Sequence, residues 1–239
     1  YRIFVKELAG GAVVGEAIES AYGDMTFSAD SQWLYWIWRD ENARPAKIFR
    51  RPARGGQDVL VHEELDDGMF LGIGRTSDDA FVVIHIGNQE TTETRFIPGG
   101  SPEAPAIVMH PREEGVKYDV DHAQGRWIIH TNADGAVDFK LMTSTAELPS
   151  RETWEPWVDH LPGRYIVGFA AYAGHVARLE RVDALNRIIV TAADGAEHMV
   201  DFDEEAYSLH LEGSLEYATT TLRFTYQSMT TPRQTFDYD

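Results

Sequence analysis

With 239 residues the chain can bury a sizeable core and still form one all-β unit, so its length does not force a second domain. It contains no cysteine, which excludes a disulfide scaffold and thiolate metal centres and fits a reducing compartment. The net charge of −18, from 39 acidic against 21 basic side chains, argues against nucleic-acid or anionic-membrane partners; no apolar run is long enough to cross a bilayer as a helix, and no signal-peptide pattern is present.

Tyr1 to Leu8 and Val13 to Ile18 read as two strands joined by the Ala9-Gly10-Gly11 turn. The next stretch, Met25 to Arg50, is the clearest in the chain. Its centre, Trp33-Leu34-Tyr35-Trp36-Ile37-Trp38, is aromatic and β-branched and lies between two polar turns, the pattern of a buried strand. Ala46 to Arg50 follows as its hairpin partner. Strands are then expected at Tyr22 to Phe27, Val59 to His62, Met69 to Gly74, Phe81 to Ile86, Glu93 to Ile97 and Ile107 to His110. Beyond these come Lys117 to His122, Trp127 to Thr131, Phe139 to Thr143 and a weaker Thr153 to Val158. The last are Tyr165 to Ala171, His175 to Arg181, Arg187 to Thr191, His198 to Phe202, Tyr207 to Leu211, Leu222 to Gln227 and Gln234 to Tyr238.

The aromatic strand recurs at residues 33, 81, 127, 175 and 222, in steps of 48, 46, 48 and 47. Its partner keeps the same beat, with Phe4, Phe49, Phe96, Leu141, Ile189 and Phe236 at steps of 45, 47, 45, 48 and 47. A period in the forties made of short strands and turns is that of β-propeller blades. The expected fold is all-β: a partial β-propeller with four complete four-stranded blades, about 21–66, 67–114, 115–162 and 163–204. Incomplete blades are expected at 1–20 and 205–239. Because the chain opens and closes at third strands, it reads as a piece of a longer polypeptide, an open arc or strained closure whose unpaired edges predict self-association.

Strands in a blade alternate in direction, so the connection between blades emerges at the same end as the hairpin between second and third strands. The connections there are Glu63 to Gly68, Pro111 to Gly115, His160 to Gly163 and Asp203 to Glu205, three of the four acidic. The hairpins include Asp40-Glu41-Asn42, Asn132 to Asp138 and Ser228 to Pro232. A negative rim concentrates cationic ligands. Solubility alone is the competing explanation.

Catalytic patterns are lacking: Ser101 and Ser214 are not in nucleophile elbows, and there is no H-E-x-x-H, P-loop or G-x-G-x-x-G, so no cofactor is expected. Asp119-Val120-Asp121 with Gly125 lacks the third acidic position and the closing Glu of a calcium loop. His130 and His175 lie in core strands and read as structural, as do Trp33, Trp36 and Trp38. Glu204 and Glu205 are sequence neighbours and do not face each other across a cleft as glycosidase carboxylates must.

The segments FSADS (Phe27 to Ser31), VHEELDD (Val61 to Asp67), PREEGVKYDVDH (Pro111 to His122), TNADGAVDFK (Thr131 to Lys140), DFDEEAY (Asp201 to Tyr207) and LRFTYQSMTTP (Leu222 to Pro232) form an ordered set. Along the whole chain this set resembles the oligopeptidase B (protease II) branch of the prolyl oligopeptidase family. The resemblance implies a cytoplasmic serine peptidase that cleaves short peptides after Arg or Lys, whose seven-bladed propeller caps an α/β-hydrolase domain with a Ser-Asp-His triad. None of the family's catalytic motifs falls in these residues, and the hydrolase domain is absent, so no catalytic or metal-binding residue is assigned. The rim is then expected to pack on the catalytic domain and to restrict entry to short basic peptides. Arg112, Glu113, Glu114, Asp134, Asp138, Ser228, Met229 and Thr230 are the candidate contacts. Asn132, Asp134, Gly135, Thr230, Thr231 and Pro232 are also residues that tight turns demand. Two other classes stay open: a stand-alone propeller that binds a protein partner through its acidic rim, and a sugar-active propeller, which would need carboxylates and Trp converging on the central channel.

Overall fold

A computed structural model describes residues 1–213 and 216–239 as two compact units, Tyr1–Lys117 and Tyr118–Asp239. Ser214, set aside above as a nucleophile, lies outside the described residues. Among the described residues the regular structure is β-strand plus one short 3-10 turn, and every sheet is an antiparallel meander in chain order.

In the first unit β1 (Ile3–Lys6) and β2 (Val13–Ile18) form a pair. Next come a four-stranded sheet of β3 (Ala21–Phe27), β4 (Trp33–Arg39), β5 (Pro45–Pro52) and β6 (Val59–Glu63), and another of β7 (Phe70–Arg75), β8 (Phe81–Gly87), β9 (Thr92–Pro98) and β10 (Ile107–His110). Strand β4 is covered on both faces. Leu34 and Trp36 pack towards β1 and β2 with Ile3 and Ile18, whereas Tyr35 and Ile37 turn the other way, onto Val82, Ile97, Ile84 and Ile86. Two-sided burial is why this strand is apolar throughout instead of alternating. Trp36 stacks on Phe49 at 5.2 Å and donates its indole N–H to Asp58 Oδ1 at 2.9 Å. Gly15 and Gly55, both with positive φ, let β2 touch the turn after β5: a Cβ on Gly55 would lie 2.9 Å from the Gly15 Cα.

The second unit holds β11 (Tyr118–Ala123), β12 (Arg126–Thr131), β13 (Lys140–Ser144) and β14 (Glu155–Val158); β15 (Arg164–Ala171), β16 (His175–Val182), β17 (Leu185–Ala192) and β18 (Glu197–Met199); and a three-stranded sheet of β19 (Tyr207–Leu211), β20 (Leu222–Ser228) and β21 (Gln234–Tyr238). Leu179, Ile188, Val190, Leu209, Leu222 and Phe224 form one core. Each such side chain, fully buried, stabilises by about 1.5–3 kcal/mol. His130 stacks on Phe139 at 4.5 Å with Nε2 against the Ile166 carbonyl, and His175 stacks on Tyr172.

Most expected strand ends shift by one or two residues, and three of the shifts have a visible cause. The strand expected at His198 to Phe202 ends at Met199, because Phe202 leaves the sheet to pack among Tyr207, Tyr226 and Phe224 at 5.1–5.6 Å. Phe139 precedes its strand with φ 64°, inside a turn. The expected start at Thr153 is instead a 3-10 turn over Arg151–Thr153, in which the Thr153 hydroxyl donates to the Ser150 carbonyl at 2.9 Å.

Candidate functional site

The loops singled out by sequence lie at the end of each sheet where its second-to-third hairpin meets the connection between sheets, and side chains staple the two together. Between β4 and β5, Arg44 reaches the Asp67 carboxylate, the Asp66 carbonyl and the Met69 carbonyl of the β6–β7 connection. Between β8 and β9, the Thr91 hydroxyl accepts the Gly115 N–H at 3.0 Å while the Thr92 N–H donates to the Val116 carbonyl. In the second unit the Asp138 carboxylate accepts the Gly163 N–H at 2.8 Å, and its carbonyl accepts the Ile166 N–H at 2.9 Å.

The last staple centres on Glu204, in the β18–β19 connection. It accepts hydroxyls of Thr230 at 2.8 Å, Thr231 at 2.9 Å and Tyr226 at 2.9 Å. Ser228 shapes the same hairpin, its Oγ accepting the N–H groups of Thr230 and Thr231. The hydroxyls of Ser228, Thr230, Thr231 and Tyr226 hold the Glu204 carboxyl down to about 2.

Arg112 sits in a denser network. Its guanidinium donates to Glu64 Oε2 at 2.8 Å and approaches Glu93 Oε2 at 3.4 Å; Glu93 also accepts from Arg95 at 2.8 Å. Glu64 and Glu93 are buried. Burial pushes the Glu64 carboxyl up, but Arg112 and the Asp66 N–H outweigh it and bring it below the usual range. Burial and then the neighbouring Arg95 push the imidazole of His62, 3.5 Å from Glu64, down. Asp134 is compensated by Lys140 at 2.7 Å and Arg151 at 2.6 Å, which lower its carboxyl.

The family model for the prolyl oligopeptidase N-terminal β-propeller domain matches residues 1–239. The chain belongs to the prolyl oligopeptidase family. It is 37% identical over 240 residues to dipeptidyl aminopeptidase BI of Pseudoxanthomonas mexicana, covering 99% of this chain and 33% of that protein. It is 27% identical over 243 residues to protease 2 of Moraxella lacunata, covering 99% and 34%. The structure of oligopeptidase B from Leishmania major superposes with a TM-score of 0.89 at 25% identity, over 99% of this chain and 35% of that one. The chain therefore spans about a third of the length of the relatives it matches.

Within this family domain the expected contact residues divide into two groups. Arg112, Asp134, Asp138, Ser228 and Thr230 are engaged inside the loops, whereas Glu113, Glu114 and Met229 project into solvent. The residues not selected from the sequence are the buried Glu64 and Glu93 with the half-buried Arg95 and, in the second unit, the buried Arg178 and Glu180 with the more exposed Glu197. Two of these sets carry a sequence signal: opposite charges two residues apart within an apolar strand, Glu93/Arg95 and Arg178/Glu180, which the strand period places on one face. Asp119 and Asp121 turn their carboxylates to the neighbouring backbone N–H groups of Val120 and His122. Among the described residues no cluster could hold a metal ion, and no helix is long and apolar enough to cross a membrane.

Proposed function

We propose that this chain is the substrate-gating propeller of a cytoplasmic serine oligopeptidase that cleaves short peptides after Arg or Lys, seated on an α/β-hydrolase domain of the same polypeptide. The observation that carries this reading is the match to the family's propeller along all 239 residues, with protease 2 and oligopeptidase B among the relatives. Basic peptides suit the loop ends, where Glu113 and Glu114 stay exposed while Asp134 and Glu64 are compensated. In the intact enzyme, reversing both charges (Glu113→Lys with Glu114→Lys) is expected to lower kcat/KM for basic peptides at low salt and to flatten its salt dependence. An unchanged salt dependence would sink the steering role.

The 37% identity to a dipeptidyl aminopeptidase supports a second specificity, release of dipeptides from a free amino end. The same basic peptide with a free and with an acetylated amino terminus separates the two. Cleavage of both forms fits the endo-acting reading, and cleavage of the free form alone fits the other. Labelling of the native protein with a fluorophosphonate tests serine chemistry itself. An unlabelled band near 26.9 kDa would mean a stand-alone propeller that uses its acidic loops to bind a protein.

A further inference from the structure

Beside the β18–β19 connection the second unit holds an open cavity of about 390 Å3, a volume within the range of small-ligand pockets. The strand period of two sets Phe224 and Tyr226 of β20 on one face of their sheet with Phe236 and Tyr238 of β21, and Phe202 of the connection packs against them. Four of these rings form a wall of two nearly parallel pairs. Phe202 stacks on Tyr226 at 5.3 Å and Phe224 on Phe236 at 5.7 Å, and the pairs meet at 89° between Phe202 and Phe224 and at 88° between Tyr226 and Phe236. Tyr238 adds another side, its hydroxyl 2.9 Å from His198 Nε2. Phe224 and Tyr226 are buried, whereas Phe236 is 41% exposed.

The polar lining is acidic: Asp201, Asp203 and Glu204. Among the described residues no basic side chain pairs with any of the three. Glu64, Glu93, Asp134 and Glu197 each face a guanidinium or ammonium group, but the partners of Glu204 are hydroxyls. Hydroxyls orient a carboxylate and favour its ionised form without cancelling its charge. The aromatic cavity is thus left with an uncompensated negative wall.

Exposed acids often serve solubility alone, and a single exposed ring is ordinary. Here rings and acids line the same hollow, a composition that suits an organic cation: ring faces attract positive charge, and carboxylates accept its N–H groups. An anion would be repelled, and a neutral apolar group would leave the acids unanswered. Guanidinium fits better than ammonium, because its plane stacks on rings, its hydration is weaker and its donors form a fork.

We propose that this cavity binds the guanidinium side chain of an arginine-containing peptide, with the aromatic wall against its plane and Asp201, Asp203 and Glu204 as its countercharge. A peptide as the source of the cation rests on the reading of the chain as part of a peptidase for basic peptides. The preference for the cation rests on the cavity's own residues.

The probe is acetyl-arginyl-photoleucine amide, whose diazirine crosslinks on illumination, added to the intact protein after a fluorophosphonate has blocked its cleavage. Crosslinks are expected within residues 200–204 and 236–238. Acetyl-argininamide should compete for them, and acetyl-citrullinamide, nearly the same shape without the charge, should not. Asp203→Asn and Phe236→Leu, both at exposed positions, should each lower these crosslinks roughly two- to ten-fold. Glu205→Gln, an equal loss of charge at an exposed residue outside the lining, should leave them unchanged. Crosslinks only at other residues, including the case in which residues beyond 239 cover the cavity, would overturn the proposal, as would equal competition by the citrulline compound. The fluorophosphonate step keeps the two ideas apart. A protein that takes up the fluorophosphonate without crosslinks at the cavity keeps the peptidase reading and loses the site, whereas one that takes up none and still crosslinks with arginine selectivity keeps the site and loses the reading.

Discussion

A carboxylate surrounded by hydroxyls behaves differently from one surrounded by cations, and the loops of this chain contain both. Glu204 has its folded value lowered to about 2 from an ordinary 4.5, so its share of the stability is complete above 4.5 and is lost as pH falls through the window towards 2. The protection factors of the Thr230 and Thr231 N–H groups against amide exchange, taken relative to the intrinsic rate at each pH, should therefore stay high at pH 5 and fall towards pH 2. Glu204→Gln should be loosened already at neutral pH and should lose that acid-dependent step. Arg112 acts through opposite charge: its removal strands the Glu64 carboxylate, 5% exposed at its side chain, and leaves Glu93, 7% exposed, to Arg95 alone. Arg112→Met is expected to cost about 3 kcal/mol in urea unfolding, at the low end for a broken buried pair because Arg95 still serves Glu93. Arg223→Met, which breaks an open pair with Asp237, should leave the midpoint unmoved. Residue identity alone makes Arg112 and Arg223 equivalent; only their surroundings separate them.

At the scale of the element, strand β4 shows how far a local pattern reaches. Its six apolar residues in sequence require cover on both faces, and both faces are covered, by β1 and β2 on one side and by the β7–β10 sheet on the other. Ile37 is wholly buried between β5 and β7, so Ile37→Ala should cost about 2–5 kcal/mol, measured as a loss of urea midpoint at constant slope. A changed slope would instead mean that the variant no longer unfolds in one step. Strand ends were less legible. Nothing within the run from His198 to Phe202 says that Phe202 will abandon the strand, because the partners that draw it away, Phe224 and Tyr226, are over twenty residues distant. Phe139 likewise looks like the first residue of a strand and is the last of a turn, held with positive φ and stacked on His130.

For the molecule as a whole, the charge of −18 has a range set by salt, about 10 Å at 0.1 M. Exposed acids such as Glu113 and Glu114 can act on a ligand in solution over that range, whereas Glu64 and Glu93 are matched by guanidinium groups at 2.8 Å. If the intact protein is the peptidase proposed above, any preference in kcat/KM for a peptide of charge +2 over a neutral one should shrink steadily between about 0.05 and 0.5 M salt, over which the screening length shortens about three-fold. A preference independent of salt would place specificity in short-range contacts and not in the field of the rim.

The repeat and the β-strand architecture were open to reading because each is written locally: strands alternate or run apolar over five to seven residues, turns carry their own Gly, Asn and Asp, and the beat of about 47 residues recurs in both the second and the third strand of each repeat. The acidic character of the loops was equally visible. What those acids do was not. Arg112 and Glu64 are 48 residues apart and Glu204 and Thr230 are 26 apart, so whether a charge is compensated, or a hydroxyl spent, depends on which loops the sheets bring together. Local chemistry decides the strands. Only the packed chain decides which of its polar side chains are already engaged and which apolar ones, Met229 foremost, are left standing in water.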